Sequence, residues 1–209
     1  RVTTRGADVS SAYRSFDVQD GHHTFEVRAV GDGDVRLFGM TLDRAQVGVT
    51  FDAIGVNGAR AVNLLAYNEA HWAAELKHRA PDLVVLAFGT NESGDDTPMA
   101  QYEKHLVDLL GRVARAVPSS SCLLLGPPDR AVKTREGWVT PPRLQEIIAS
   151  QQRIAEAAGC AFYDQQRAMG GPGTINAWID IPQALAQKDR VHLTRDGYAQ
   201  VGHAVVGDL

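Results

Sequence analysis

Residues 82–89 read DLVVLAFG and residues 122–129 read CLLLGPPD, and both are short apolar runs with a glycine after the apolar residues. Between them, Thr97-Pro98 is a helix start signal, and apolar residues then recur every three or four positions as far as Val117. Apolar runs that alternate with amphipathic helices are typical of βα units, in which helices cover both faces of a parallel sheet. We therefore predict an α/β fold with a three-layer, doubly wound parallel sheet.

The remainder of the C-terminal part continues this alternation. A second start signal at Thr140-Pro141 predicts a helix that ends at Gly159, and AFYD at 161–164 predicts another strand. Apolar spacing predicts a single helix within residues 59–79, and a final helix closes the chain.

The N-terminal part has a different pattern. Three segments in which apolar and polar residues alternate are separated by turn signals, Asp20-Gly21 and the GDGD at 31–34. The alternating segments are YRSFDV at 13–18, HTFEVRAV at 23–30 and VRLFGMTL at 35–42. This pattern predicts antiparallel β-strands, so we divide the chain into residues 1–48 and residues 49–209. The second part begins with a predicted strand, VTFDAI.

Charge and composition exclude several classes of partner. The formal net charge of -4 comes from mixed signs without long runs, which argues against nucleic-acid or anionic-membrane binding. The apolar runs are too short to span a bilayer. The only two cysteines, Cys122 and Cys160, each begin an apolar run, and we favour two buried free thiols over a disulfide.

Ligands of doubly wound sheets bind beyond the carboxyl ends of the strands, so the residues after each apolar run are the candidates for chemistry. Gly58 follows the run at 49–54, Asn91 and Glu92 follow the run at 83–88, and Asp189 and His192 precede the last helix. Each is weak evidence alone, because asparagine and glycine are also ordinary turn residues. Their order along the chain is more informative than any one of them.

That order resembles the later conserved blocks of the SGNH (GDSL-like) hydrolase superfamily over residues 49–209. GVNGA at 55–59 resembles the second block, GTNE at 89–92 the third, and DRVH at 189–192 the fifth. MGGPG at 169–173 and Trp178 are similar to the branch of bacterial peptidoglycan and polysaccharide O-acetylesterases. The resemblance implies a flavodoxin-like sheet and an ester hydrolase.

The resemblance also assigns roles that fit the chemistry of ester hydrolysis. His192 would be the general base, and Asp189 would orient its ring. The side chain of Asn91 and the backbone N–H of Gly58 would donate to the oxyanion. Glu92 stands where the family usually has aspartate, and we expect it to support the loop.

The family's first block, which carries the nucleophilic serine, is absent from this sequence. Ser93 is the only serine close to a candidate residue, and we expect it not to be the nucleophile, because no strand-turn-helix context surrounds it. Some acetylesterases insert a β-sandwich similar to a carbohydrate-binding module after that serine, and residues 1–48 resemble its closing strands. A missing N-terminal segment or a companion chain would then supply the serine and fill a gap in the sheet.

The predicted function is removal of O-acetyl groups from peptidoglycan or another polysaccharide. A polysaccharide O-acetyltransferase and a noncatalytic carbohydrate-binding protein remain as alternatives. Arg60 is a candidate substrate contact, and Trp138 and Trp178 either stack on sugar rings or cover the core. No cofactor is implied, and the histidines have no spacing typical of a metal site. The resemblance implies a periplasmic or extracellular protein.

Overall fold

The computed structural model describes residues 2–8 and 10–208, and all of its helices and strands lie after residue 60. In chain order they are α1 (Ala61–Leu65), α2 (Glu69–Arg79), β1 (Leu83–Ala87), α3 (Met99–Ala116), β2 (Ser121–Leu125), β3 (Val132–Thr134), β4 (Gly137–Val139), α4 (Pro142–Ala157), β5 (Ala161–Tyr163), α5 (Gln165–Met169), α6 (Thr174–Ala177) and α7 (Arg195–Asp208). A short 3-10 turn, Glu92–Gly94, follows β1.

The central sheet has three parallel strands in the order β1-β2-β5. Strands β3 and β4 form a separate antiparallel hairpin. The α/β class and the parallel sheet agree with the prediction from the apolar runs. The loops after β1 and β2 leave the same edge of the sheet, because parallel strands end on the same side.

Two buried clusters hold the C-terminal unit together. The first joins one face of the sheet to α3 and α4, and it includes Leu86, Leu106, Leu124 and Ile147. The second lies among α5, α6, α7 and their loops, and its members are Ala131, Met169, Ile175, Trp178, Ala186, Leu193 and Val201. On the other face of β1, the side chains of Leu83 and Val85 are exposed, at 42% and 43%.

The two helices with clear start signals form as predicted. Helix α3 begins after Pro98 and α4 after Pro141, each within a residue or two of the Thr-Pro pair. The single helix predicted within residues 59–79 is wrong, because the chain forms α1 and α2 instead. Asn68 separates them by accepting a hydrogen bond from the His71 backbone N–H at 2.9 Å, which starts a new helix.

Cys122 and Cys160 form a disulfide, so the preference for free thiols is wrong. Leu123 on β2 pairs with Ala161 on β5, and the residues before them therefore lie side by side. Their Cα atoms are 4.7 Å apart, within the range of disulfides. The register that causes this contact is a property of the folded sheet.

The chain divides into two units, Arg1–Gly55 and Val56–Leu209. Within the described residues of the first unit the backbone bends at residues 20–21 and 31–33, as the turn signals predict, but it forms no strand. VTFDAI at 49–54 is also not a strand. Side chains such as Phe16 (73% exposed) and Phe51 (85% exposed) have no apolar cover, and strands need both a paired neighbour and a covered face.

Among residues 2–8 and 10–208, no helix has the length and apolar character that crossing a membrane would require.

Candidate active site

Asp189 and His192 form a hydrogen-bonded pair in the loop before α7. His192 Nδ1 lies 2.7 Å from Asp189 Oδ2, as the resemblance predicted. Asp189 Oδ1 also accepts hydrogen bonds from the backbone N–H groups of Val191 (2.9 Å) and His192 (3.0 Å). One carboxylate therefore fixes both the turn and the imidazole ring.

The charge on Asp189 decides which ring nitrogen carries the proton. Partial burial raises the pKa of Asp189, but the hydrogen bonds from the His192 backbone and ring and from the Val191 backbone outweigh it and lower the pKa to about 2. An ionised carboxylate only accepts hydrogen bonds, so His192 Nδ1 carries the proton. The lone pair of Nε2 is then available as a base on a side chain that is 62% exposed.

The backbone around this pair is tied on both sides. The His192 carbonyl accepts from the Gln187 N–H at 2.8 Å, and the Arg190 carbonyl accepts from the Ala131 N–H at 2.9 Å. Thr194 Oγ1 accepts from the Gly197 N–H at 3.2 Å, which caps the first turn of α7. His192 is thus held three residues before the helix starts.

Glu92 organises the loop after β1. Its carboxylate is buried, at 4% exposure for the residue. Oε1 accepts from the Ala61 N–H and Oε2 from the Gly89 N–H, both at 2.9 Å. Glu92 therefore supports the loop, as expected, by joining it to the start of α1.

Asn91 reaches the segment that contains Gly58. Asn91 Nδ2 donates to the Ala59 carbonyl at 2.9 Å, and this bond uses one of the two N–H groups of the amide. Gly58 has a φ of 76°, a left-handed conformation that favours glycine. A Cβ on Gly58 would meet no described atom within 4 Å, so the backbone conformation favours glycine here and a lack of space does not.

Gly89 allows the same loop to pass close to the neighbouring loop. Its φ is 117°, and a Cβ there would lie 2.9 Å from Pro127 Cγ. Pro127 belongs to the GPPD segment after β2. The two loops are therefore packed together at the carboxyl edge of the sheet.

Arg130 and Ala131 contact both halves of the candidate site. Arg130 Nη1 donates to the Thr90 carbonyl at 3.0 Å and to the Ser93 hydroxyl at 3.1 Å. The next residue, Ala131, donates to Arg190, which lies between Asp189 and His192. The loop of Asn91 and the loop of His192 thus share one supporting segment.

Arg60 and Trp178, two of the predicted substrate contacts, interact with other residues of the protein. Arg60 Nε lies 2.7 Å from Asp95 Oδ2, and the arginine side chain stays 41% exposed beside a cleft that Gln101 and His105 also line. Trp178 is 9% exposed and belongs to the second buried cluster. Of the two roles that the sequence left open for Trp178, burial favours covering the core.

Three described serines of the C-terminal unit, Ser93, Ser120 and Ser150, use their hydroxyls in hydrogen bonds to groups other than His192. Ser93 is 5% exposed, and its hydroxyl donates to the Thr90 carbonyl at 2.7 Å. Ser120 lies at the amino end of β2, away from the carboxyl ends of the strands, and its hydroxyl donates to the Pro81 carbonyl at 2.5 Å. These positions support the expectation that Ser93 is not the nucleophile.

Asp129 is a buried residue whose role sequence reasoning missed. It is fully buried, and its carboxylate accepts hydrogen bonds from Thr140 Oγ1, Gln166 Nε2 and the Ile175 N–H at 2.8 to 2.9 Å. Its place directly after the GPP of the second apolar run was the available signal. Asp129 thus joins Thr140 to helices α5 and α6, and Asn176 of α6 accepts a hydrogen bond from Arg190 of the Asp189–His192 turn. In the same described part of the chain, no three His, Cys, Asp or Glu side chains are grouped to hold a metal ion.

Solved structures of esterases have folds similar to that of this chain. A peptidoglycan O-acetylesterase structure aligns with 75% of this chain at 27% sequence identity and a TM-score of 0.69, and the chain spans only 44% of its length. A lipase/acylhydrolase from Enterococcus faecalis aligns with 72% of this chain at 19% identity and a TM-score of 0.52, with 70% of its own length covered.

An acetylxylan esterase from Geobacillus stearothermophilus, solved as a catalytic mutant, aligns with 72% of this chain at 19% identity and a TM-score of 0.53, with 67% of its own length covered. The identities of these last two structures are low, so they support the fold alone. No curated protein matched the sequence.

The family profile described as GDSL-like lipase/acylhydrolase matches residues 21–200, which is most of the chain. The match includes the loops of Gly58, Asn91 and His192, whose geometry is given above. The chain belongs to the GDSL-like lipase/acylhydrolase family.

Proposed function

We propose that this chain is the acid–base and oxyanion part of a serine-dependent carbohydrate O-acetylesterase. The observation that carries the proposal is the Asp189–His192 pair, with its ring proton on Nδ1 and its exposed Nε2, in a chain of the GDSL-like family. Such a pair is what an ester hydrolase needs to activate a hydroxyl nucleophile.

The proposed reaction has two steps. His192 Nε2 takes the proton from the serine hydroxyl, whose oxygen bonds to the acetyl carbon, and the protonated ring then donates that proton to the leaving sugar oxygen. Water repeats the sequence: His192 takes a proton from it, the hydroxide attacks the acetyl-serine, and acetate leaves as the serine regains its proton. Asn91 Nδ2, through its second N–H, and the Gly58 N–H stabilise the oxyanion in both steps.

The proposed substrate is an O-acetylated polysaccharide such as peptidoglycan. The peptidoglycan O-acetylesterase is similar at 27% identity over three quarters of this chain, which supports this class of substrate. Strand β1 is an outer strand of the described three-stranded sheet, and the side chains of Leu83 and Val85 on one of its faces are exposed. These two features support a second part of the proposal. There, a strand from outside these 209 residues pairs with β1 and places the nucleophilic serine opposite His192.

For residues 1–48 we propose the closing strands of a β-sandwich similar to a carbohydrate-binding module, followed by the hydrolase domain at 49–209. The alternating segments and the bends between them support this assignment. Pairing with the remaining strands of the sandwich would cover apolar side chains such as Phe16 and Leu37, which are now exposed.

The proposed location is periplasmic or extracellular. The disulfide between Cys122 and Cys160 supports it, because disulfides persist in oxidising compartments and are rare in the cytosol.

Acetate release tests the proposal directly. The full-length protein should release acetate from O-acetylated peptidoglycan and from 4-nitrophenyl acetate without any added sugar acceptor. Residues 1–209 alone should release none. Acetate release only in the presence of a sugar acceptor would favour a transferase, and an active 209-residue chain would place the nucleophile within it.

A further inference from the structure

Trp138 differs from the other two tryptophans in its surroundings. Trp72 packs against the first buried cluster and Trp178 lies in the second. Trp138 is 39% exposed on the β3–β4 hairpin, where it pairs with Lys133 across the strands. A large ring that stays exposed on a paired hairpin is available to a ligand.

The ring is fixed in place beside the Asp189–His192 loop. The guanidinium carbon of Arg190 lies 4.3 Å from the centre of the Trp138 ring, a stacked cation–π contact. Arg190 Nε donates to Asn176 Oδ1 at 3.0 Å, and Asn176 Nδ2 donates to the Trp138 carbonyl at 3.2 Å. Asn176 thus holds both partners of the contact.

Arg190 also connects the ring to the reacting group. It follows Asp189 directly and precedes His192 by two residues, and its φ of 59° is left-handed. A non-glycine residue in this conformation costs free energy, so its contacts must hold it there. The Trp138 ring therefore contacts the side chain of a residue in the Asp189–His192 loop.

We propose that Trp138 is a glycan subsite that stacks on a pyranose ring of the O-acetylated chain while His192 acts on the acetyl group. The C–H face of a pyranose is apolar and flat, and it packs on an indole ring in the same way as other apolar surfaces. The arginine on the ring keeps it oriented before substrate binds, which lowers the entropy lost on binding. This inference rests on the proposed esterase function and adds the recognition of a sugar unit.

The test compares a polymeric with a small substrate in the full-length protein. For soluble O-acetylated peptidoglycan fragments, Trp138→Ala should raise KM about tenfold, the size expected for a lost aromatic contact. Its kcat/KM for 4-nitrophenyl acetate, which contains no sugar, should fall much less. Trp138→Phe should restore part of the glycan activity. Tyr67→Ala, which removes another exposed aromatic ring, is the matched control and should leave the ratio of the two activities unchanged.

Two outcomes would overturn the inference while the proposed function stands. Parallel losses on both substrates would mean that Trp138 only positions the loop, and an unchanged KM for the glycan would mean that the ring does not bind it. Failure of the proposed function is visible separately, as a wild-type protein that releases no acetate from either substrate. Thermal unfolding of each variant shows whether it is folded. Binding of the same fragments to His192→Ala and to the double variant His192→Ala/Trp138→Ala measures recognition without turnover.

Discussion

Asp189 and Glu92 are carboxylates beside the two halves of the candidate site, and they are held in opposite ways. Asp189 is half-exposed, and its carboxylate is bonded to groups of Val191 and His192, two and three residues further along the chain. Glu92 is buried and joins Gly89 to Ala61, and Ala61 lies 31 residues before Glu92 in the chain. The Asp189 and His192 side chains are thus joined by a local contact, whereas the Asn91 loop is held through a buried side chain that reaches a distant segment.

This difference predicts how substitutions will act. Changes to the Asp189 or His192 side chain should alter the chemistry and spare the fold, because these exposed side chains bond to groups of their own loop. Changes in the buried loop should alter stability as well, because they leave backbone donors without partners in the interior.

Replacing His192 should give the largest effect on turnover. In the full-length protein, His192→Ala should lower ester turnover by roughly 10⁴- to 10⁶-fold, because the base is lost. The free energy of unfolding should change by less than about 0.5 kcal/mol, as for other exposed positions. Acetate release and thermal unfolding measure the two quantities, with His203→Ala, an exposed histidine on α7, as the control. Near-normal turnover would reject His192 as the base.

Asn91→Ala should reduce kcat by about 10²-fold or more through the loss of one oxyanion donor, with a smaller change in KM. It also removes the hydrogen bond to the Ala59 carbonyl. The variant should therefore be slightly less stable, unlike His192→Ala. Steady-state kinetics with both substrates would check this, and a rise in KM with unchanged kcat would contradict the oxyanion role.

Glu92→Gln should destabilise the fold by about 1–3 kcal/mol. The amide NH₂ of glutamine is a donor, and it would replace a carboxylate oxygen that accepts a hydrogen bond from a backbone N–H. Either the Ala61 or the Gly89 N–H then loses its acceptor. Chemical denaturation would measure the loss. Glu136→Gln makes the same change at an exposed site and should have little effect. Equal stability of the two variants would mean that the buried loop does not depend on Glu92.

The smallest effect is expected from the pH dependence of Asp189. Its pKa of about 2 in the folded protein lies below the ordinary 3.8. Its contribution to stability is therefore complete above about pH 4 and is lost as the pH falls from about 4 to 2. Solvent screening of this half-exposed group should keep the contribution below about 1 kcal/mol. The melting temperatures of wild type and Asp189→Asn should converge over that interval, and a constant difference would contradict the assigned pKa.

Local signals predicted the parts of the fold that short segments determine. The Thr-Pro pairs placed the starts of α3 and α4, and the apolar runs placed the three strands. The aspartate–histidine contact was predicted through the family resemblance, and the structure forms it between two residues three positions apart. The split between α1 and α2 was missed because apolar periodicity runs across the cap at Asn68.

By itself, the sequence determined the α/β class, the order of the candidate residues and the three-residue separation of Asp189 and His192, since each can be read along the chain. Only the tertiary structure decided the partners that come from distant segments. It paired Cys122 with Cys160, buried Trp178, exposed Trp138 beside Arg190 and left residues 2–8 and 10–55 without strands. Strand register and burial depend on which segments meet in space, and that information is not contained in the pattern of any single segment.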